Sequence, residues 1–244
     1  MNVLILGTGK QGLKYYQYFK SLGYRISLCN RSGVDKKNKF NGTNIFKFDK
    51  IKNIKFFEKF DIIIIAISPT AEQTKVLKFI LSTNIKNSKI IIEKPVSYEL
   101  DLLNQIIDKE NIFYFNDEIY LNLILNRKPI KIKSAFDRDI LEHSLGYFLT
   151  YKNFSTILTN INFYLLNKNI DYIYYEIEFQ QGEKLINYKG NIIIKIGHKK
   201  QVNEMNFNKC LYNLLNTSKQ ENKIIKKNLF YLNKFIKNKT GNKK

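Results

Sequence analysis

Val3-Leu4-Ile5-Leu6-Gly7-Thr8-Gly9-Lys10-Gln11-Gly12 opens the chain and decides how the rest is read. Val3 to Leu6 is short and wholly apolar, as expected of a strand buried on both faces of a parallel sheet. Leu13, Tyr16, Phe19 and Leu22 then recur at helical intervals until Gly23 stops the helix, and Arg25 to Cys29 reads as a second strand. The unit is βαβ. Between strand and helix, Gly7, Gly9 and Gly12 stand at G-x-G-x-x-G spacing. The first glycine permits a tight turn, the second lets the backbone approach a pyrophosphate, and the third lets helix and strand pack closely. The helix N-terminus offers its unpaired N–H groups to the anion. Thr8, Lys10 and Gln11 share the turn, so all six residues from Gly7 to Gly12 are cofactor-binding candidates.

Working outward, the alternation persists. Asn44 to Phe48 reads as a short strand, Ile51 to Phe60 as a short helix, and Asp61 to Ile67 as a nearly all β-branched strand. Ala71 to Leu81 and Glu99 to Lys109 read as helices, Lys89 to Glu93 and Ile112 to Phe115 as strands. Residues 1–118 are therefore expected to form a Rossmann dinucleotide-binding domain, a doubly wound parallel sheet. Beyond Asn116 the rhythm changes. Residues 117–127 and 138–150 look helical. Ile170 to Phe179, Lys184 to Tyr188, Asn191 to Ile196 and Gln201 to Phe207 look like strands, with Gln181-Gly182 and Lys189-Gly190 as turns. Asn208 to Lys237 looks mostly helical. The expectation is a smaller α+β domain over 119–237, built on an antiparallel sheet, then a polar tail over 238–244. The fold class is α/β with this second domain.

The end of the second strand selects the dinucleotide. A carboxylate there would accept from a ribose 2′-OH, but the chain reads Cys29-Asn30-Arg31-Ser32 with no acid before Asp35. Arg31 can pair with a 2′-phosphate and Ser32 can donate to it, with Asn30 beside them, so NADP(H) is expected over NAD(H). The strand Lys89 to Ile92 ends in Glu93-Lys94-Pro95. Ligands gather at the carboxyl ends of strands in open α/β sheets, which puts Lys94 on the cofactor side, with Pro95 stiffening its backbone. A partly desolvated lysine there can shuttle a proton.

The glycine turn, Ile63-Ile64-Ile65-Ala66-Ile67-Ser68-Pro69-Thr70 and Glu93-Lys94-Pro95-Val96-Ser97 occur in this order. Together they resemble the glucose–fructose oxidoreductase/inositol dehydrogenase (Gfo/Idh/MocA) family of NAD(P)-dependent oxidoreductases. Phe115-Asn116 sits where that family closes its Rossmann domain, and Asp139-Ile140-Leu141-Glu142-His143 resembles its Asp-x-x-x-His helix motif. Only 45 positions separate Lys94 from Asp139, so the chain would be a short member. Where the family often carries an acid three residues after the histidine, this chain has Gly146. The resemblance implies that Lys94 exchanges the substrate hydroxyl proton, that His143 assists or binds sugar hydroxyls, and that Asp139 orients them. It also implies that Ser68, Pro69, Thr70, Glu93 and Asn116 join the cofactor site. Independently, the four-residue step from Asp139 to His143 places both on one helix face. The activity implied is hydride transfer between nicotinamide and a carbon of a sugar, nucleotide-sugar or polyol. An imine reductase of the same family and a non-catalytic dinucleotide-binding module are the alternatives.

Composition bounds the partners. Forty-one basic and 21 acidic side chains give +20, spread along the chain except for a concentration from Lys219 to Lys244. A diffuse excess gives non-specific affinity and no chemistry, so no specific nucleic-acid role is expected. Two cysteines, Cys29 and Cys210, cannot build a disulfide framework or a cysteine zinc site, and no metal is expected. His198, beside Lys199 and Lys200, reads as solvated. No apolar run approaches membrane-spanning length, and the expected address is the cytoplasm. The stretch Ile170 to Ile177 is apolar and aromatic on both alternating faces, which suggests a homo-oligomer, such as a dimer, joined through the C-terminal sheet.

Overall fold

A computed structural model describes residues 1–35, 39–40, 42–51, 54–83, 85–120, 129–135, 144–166, 174–188, 191–196, 199–203 and 206–241. The chain forms two compact units, Met1–Phe115 and Asn116–Lys244. The boundary expected at 118 falls inside the first helix of the second unit.

The first unit is a six-stranded sheet of β1 (Asn2–Leu6), β2 (Arg25–Asn30), β3 (Ile45–Lys47), β4 (Ile62–Ile65), β5 (Lys89–Glu93) and β6 (Ile112–Phe115). Their order is β3-β2-β1-β4-β5-β6 and every pair is parallel. Helices α1 (Lys10–Ser21), α2 (Ile54–Phe57), α3 (Thr70–Ser82) and α4 (Leu100–Ile106) lie in the connections. Val3 to Leu6 and Ile62 to Ile65 are buried throughout, as strands covered on both faces must be. Strand order reverses at β1, so a crevice opens where β1 and β4 end, the place where ligands bind in this class of sheet. At the far end of α1, Gly23 takes a φ of +72° and donates its N–H to the Lys20 carbonyl, which closes the helix.

The helix expected over Ile51 to Phe60 is instead a 3₁₀ turn, Phe48–Ile51, followed by the four-residue α2. Ring packing holds this stretch: Phe56 meets Phe46 at 5.0 Å and Phe60 at 5.3 Å between centroids.

The second unit carries β7 (Pro129–Ala135), β8 (Asn162–Leu166), β9 (Tyr174–Phe179), β10 (Lys184–Tyr188), β11 (Asn191–Ile196) and β12 (Lys199–Asn203), in the order β12-β11-β10-β9-β7-β8. All pairs are antiparallel except β7 with β8, which is parallel. Its helices are α5 (Asp117–Tyr120), α6 (Phe154–Asn160), α7 (Phe207–Leu215) and α8 (Lys219–Gly241). Tyr175, Ile177 and Phe179 point into the core while Tyr174, Glu176 and Glu178 face outward and stay half-exposed, the alternation of a half-buried strand.

Several expectations change here. Strands β7 and β8 were not foreseen. The strand expected at Gln201 to Phe207 is β12, and Phe207 already begins α7. The helix expected over Asn208 to Lys237 is two. Asn216 Nδ2 donates to the Tyr212 carbonyl and Thr217 Oγ1 to that of Asn213, closing α7; Ser218 Oγ accepts from the Glu221 N–H, opening α8. The tail expected over 238–244 begins inside α8, because no helix breaker precedes Gly241. Of the expected helices at 117–127 and 138–150, the structure describes only α5 and residues 144–150. Ile225, Leu229, Leu232 and Ile236 bury one stripe of α8, and Asn228 donates to the carbonyls of Leu149 and Tyr151. No helix among the described residues is long and apolar enough to cross a membrane.

Candidate functional site

The glycine turn connects the end of β1 to α1. Gly7 has a φ of +113° and donates its N–H to the Cys29 carbonyl at 2.9 Å, tying the turn to the end of β2. A Cβ on Gly7 would collide with the Ala66 carbonyl oxygen, and one on Gly12 with the Gly7 carbonyl oxygen. Gly9 differs. A Cβ there would meet nothing within 4 Å, and the residue, at the N-cap of α1, has an ordinary extended backbone. The absent side chain leaves open space in front of the first-turn N–H groups.

That space belongs to a cleft of about 660 Å³ lined by Gly7 to Gln11, Cys29 to Arg31, Phe48, Asp49, Ala66 to Pro69, Glu72 and Val76. Burial pushes the Cys29 thiol up to about 12, with the Asp49 carboxylate adding to it, so the wall at that point is a neutral, inert thiol. Beside the cleft a second hollow, of about 610 Å³, gathers Lys10, Arg31, Ser32, Lys39 and Asp35. Arg31, Lys10 and Lys39 are exposed there. Asn30 is spent on the turn: its Nδ2 donates to Thr8 Oγ1 at 3.1 Å and to the Val34 carbonyl at 3.0 Å. Its Oδ1 accepts from the Gly33 N–H and from Ser32 Oγ. The β2 end itself, Cys29 to Ser32, carries Arg31 and no carboxylate; Asp35 lines the same hollow but accepts from the Phe40 N–H, and Asp49 lines the neighbouring cleft.

These residues fit a dinucleotide. Open space above Gly9 meets the orphan N–H groups of a twelve-residue helix. Gln11 Oε1 is a buried acceptor with no hydrogen-bond partner among the described residues. An acceptor suits a hydroxyl or amide donor of such a ligand, not its phosphates.

Ser68, Pro69 and Thr70 lie where β4 gives way to α3, and the Pro69 carbonyl accepts from the N–H groups of Glu72 and Gln73. The Ser68–Pro69 and Lys94–Pro95 peptides are both cis. Glu93 is buried, and its Oε1 accepts from Tyr15 Oη at 2.7 Å, so it braces β5 against α1. Lys94, the next residue, is half-buried. Ser68 and Pro69 are thus brought together with the glycine turn, Asn30 and Arg31 around one cleft; Ser32 lines the adjoining hollow. Asn116 is fully buried in the second unit, where its Oδ1 accepts from the Glu118 N–H at 3.0 Å. A Cβ on Gly146 would lie 2.5 Å from Asn116 Nδ2, which accounts for a glycine at that position. Asp139, His143 and His198 lie outside the described residues.

Two participants were not read from the sequence. Gln73 is buried on α3 and fastens the connections that follow β4 and β5; Tyr15 anchors Glu93. Gln73 does leave a signal. It stands in register with Val76, Leu77 and Ile80, a polar residue on the buried stripe of a helix.

In the second unit, Tyr147 Oη and Tyr175 Oη share a hydrogen bond of 3.1 Å, and Asn187 Nδ2 donates to Tyr175 Oη at 3.2 Å. Burial, aided by the nearby Glu118 carboxylate, holds both phenols well above the usual tyrosine range. No group of three or more metal-ligating side chains occurs among the described residues.

Neither a protein-family model nor a curated protein sequence matches the chain. Solved structures do. A dehydrogenase from Chromobacterium violaceum aligns with 98% of this chain and 93% of its own, at 10% identity and a TM-score of 0.66. The 3-ketoreductase KijD10 from Actinomadura kijaniata, solved with TDP-benzene and NADP, aligns over 97% and 95%, at 8% identity and a TM-score of 0.63. A Gfo/Idh/MocA family oxidoreductase from Vibrio cholerae aligns over 99% and 98%, at 9% identity and a TM-score of 0.60. The chain has the two-domain fold of Gfo/Idh/MocA oxidoreductases, the family whose motifs its sequence resembles.

Proposed function

We propose that this protein is an oxidoreductase that binds NADP(H) in preference to NAD(H) and works on a sugar, nucleotide-sugar or polyol, interconverting a secondary alcohol and its ketone. The observation that carries the reading is the cleft above Gly9: helix N–H groups face open space, and the β2 end beside it offers Arg31 where an NAD-type site would place an acid, Asp35 being taken up by the Phe40 N–H. Bound NADP(H) would supply or take up the hydride at the nicotinamide ring. Gly7 to Gly12 receive the pyrophosphate on backbone N–H groups. Arg31, Ser32 and Lys39 receive the 2′-phosphate, and Gln11 accepts from a donor of the bound ligand. Lys94 exchanges the proton with the substrate oxygen: its ammonium donates when the ketone is reduced, and its neutral amine accepts when the alcohol is oxidised. The family resemblance adds His143 as a second group on the substrate hydroxyls and Asp139 as its orienting partner. The fold neighbours support the substrate class through the ketoreductase solved with a TDP ligand and NADP.

The cofactor claim is tested by dissociation constants for NADPH and NADH. Arg31→Ala should weaken NADPH by about tenfold or more and leave NADH nearly unchanged, the loss expected for one charge-assisted phosphate contact. An NADPH preference left unchanged by Arg31→Ala rejects the assignment. A thermal-shift screen of nucleotide sugars and polyols against the NADPH-loaded protein identifies the substrate. Full turnover of that substrate by Lys94→Ala would end the catalytic role.

The second unit, in this reading, pairs with a second copy through the outward face of its sheet. Tyr164, Lys133, Glu176 and Ile186 stand in one cross-strand row on that face. Sizing by light scattering tests it: a monomer at tens of micromolar for the wild type rejects the pairing, and Ile186→Glu should convert a dimer to monomer.

A further inference from the structure

Lys94 sits on a loop, and loops hold side chains loosely unless something fastens the backbone on both sides. Here one side chain fastens both sides. Gln73 Nε2 donates one hydrogen to the Glu93 carbonyl at 2.8 Å and the other to the Pro95 carbonyl at 2.7 Å. These are the carbonyls immediately before and after Lys94. On its other side, Gln73 Oε1 accepts the Ile67 N–H at 3.2 Å. Two partners can only accept and the third can only donate, so the orientation of the amide is settled by its surroundings. Ile67 lines the dinucleotide cleft. One buried amide thereby joins the cleft wall at the end of β4 to both flanks of Lys94 at the end of β5.

The neighbouring contacts extend the frame. Tyr15 Oη holds the Glu93 carboxylate from α1, the helix that opens at the glycine turn. Thr74 Oγ1 donates to Ser97 Oγ at 3.1 Å, and Ser97 Oγ accepts the Glu99 N–H. Gln73, Thr74 and Ser97 are all buried. A hydrophobic residue at 73 would pack as well on the stripe of Val76, Leu77 and Ile80, so packing does not explain the amide.

We propose that Gln73 is the positioning residue of this site, fixing the Lys94 backbone relative to the wall of the dinucleotide cleft. The inference rests on the reading that the cleft binds NADP(H) and that the bound cofactor reaches Lys94, which is not itself among the residues lining the cleft. It assigns Gln73 no contact with the reacting atoms. Its removal leaves the phosphate-binding turn's own contacts in place and loosens the backbone on both sides of Lys94.

The test needs no substrate. Trace acylation by acetic anhydride, quantified at Lys94 by peptide mass spectrometry, is compared with and without saturating NADPH, and the NADPH dissociation constant is measured in parallel by fluorescence. In the wild type NADPH should slow Lys94 acylation by about tenfold or more, as it covers a held side chain. In Gln73→Leu that protection should fall to about twofold while the dissociation constant stays within about threefold. Gln73→Glu keeps the acceptor for Ile67 and places a carboxylate against two carbonyls, so only its protonated form can donate. Its protection should return as pH falls from about 8 to about 6, a response that a purely space-filling role would not produce. Wild-type protection in Gln73→Leu, or pH-independent protection in Gln73→Glu, overturns the positioning role and leaves the cofactor reading standing. If the wild type itself shows no NADPH binding, the cofactor reading fails and takes this inference with it.

Discussion

At Gly9 the backbone would accept any residue, and the chain itself leaves the Cβ position open. At Gly7 and Gly12 the chain's own carbonyl oxygens forbid a side chain. The three glycines of one motif therefore answer to different demands, and substitution should separate them. Gly9→Asp keeps a favoured N-cap residue, so its melting temperature should hold, while its carboxylate takes the N–H groups offered to the ligand. NADPH affinity should fall by about 100-fold or more, read by fluorescence titration. Gly12→Ala should do the reverse in stability, losing about 1–3 kcal/mol in urea unfolding because helix and turn must part. A Gly9→Asp protein that binds NADPH normally would show that the anion does not sit over this turn.

Elements whose apolar pattern and punctuation agree could be read directly. The strand Val3 to Leu6, the helix ended by Gly23 and the run Ile62 to Ile65 needed only burial on both faces and a stop. Strand β7 went unread although Ile130-Lys131-Ile132-Lys133 alternates, because the alternation is short and opens on a proline; the register shift between Pro129 and Lys131 then leaves Ile130 exposed while Ile132 is buried. Strand β8 escaped because its pairing with β7 is parallel and non-local, and nothing in five residues announces it. The glycine turn and the end of β2, which line the candidate cleft, were legible for the same reason that β1 was: they lie in a local motif. Tyr15 and the Nε2 of Gln73 act through contacts 20 to 78 positions away, beyond any local pattern. Asn116, placed by analogy alone, has a side chain that accepts from the Glu118 N–H of α5 and lies against the Gly146 position. Here the prediction is one of coupling. Gly146→Ala should destabilise the protein by about 1–3 kcal/mol, and Asn116→Ser, which keeps a capping hydroxyl in less space, should restore part of that loss in the double variant. Strictly additive urea midpoints would deny the contact.

Over the whole molecule, each unit carries acids whose protonated form the fold prefers, Cys29 in the first and the Tyr147–Tyr175 pair in the second. Burial raises all three, so above the ordinary thiol and phenol ranges the unfolded chain has lost protons that the folded chain keeps. The unfolded state then binds fewer protons, and stability falls as pH rises. For Cys29 the contribution is complete below about pH 9 and is lost on the way up to about 12. While one group titrates only in the unfolded chain, the slope is at most about 1.4 kcal/mol per pH unit. Because the acids sit in separate units, single substitutions should divide the effect. Cys29→Ala should flatten the decline from pH 9 to 11 for probes within Met1–Phe115, such as exchange of the β1 amides, and Tyr147→Phe should do so for the β9 amides. Hydrogen exchange followed by mass spectrometry reads both at once. Equal flattening of both regions by either substitution would mean that the two units unfold as one.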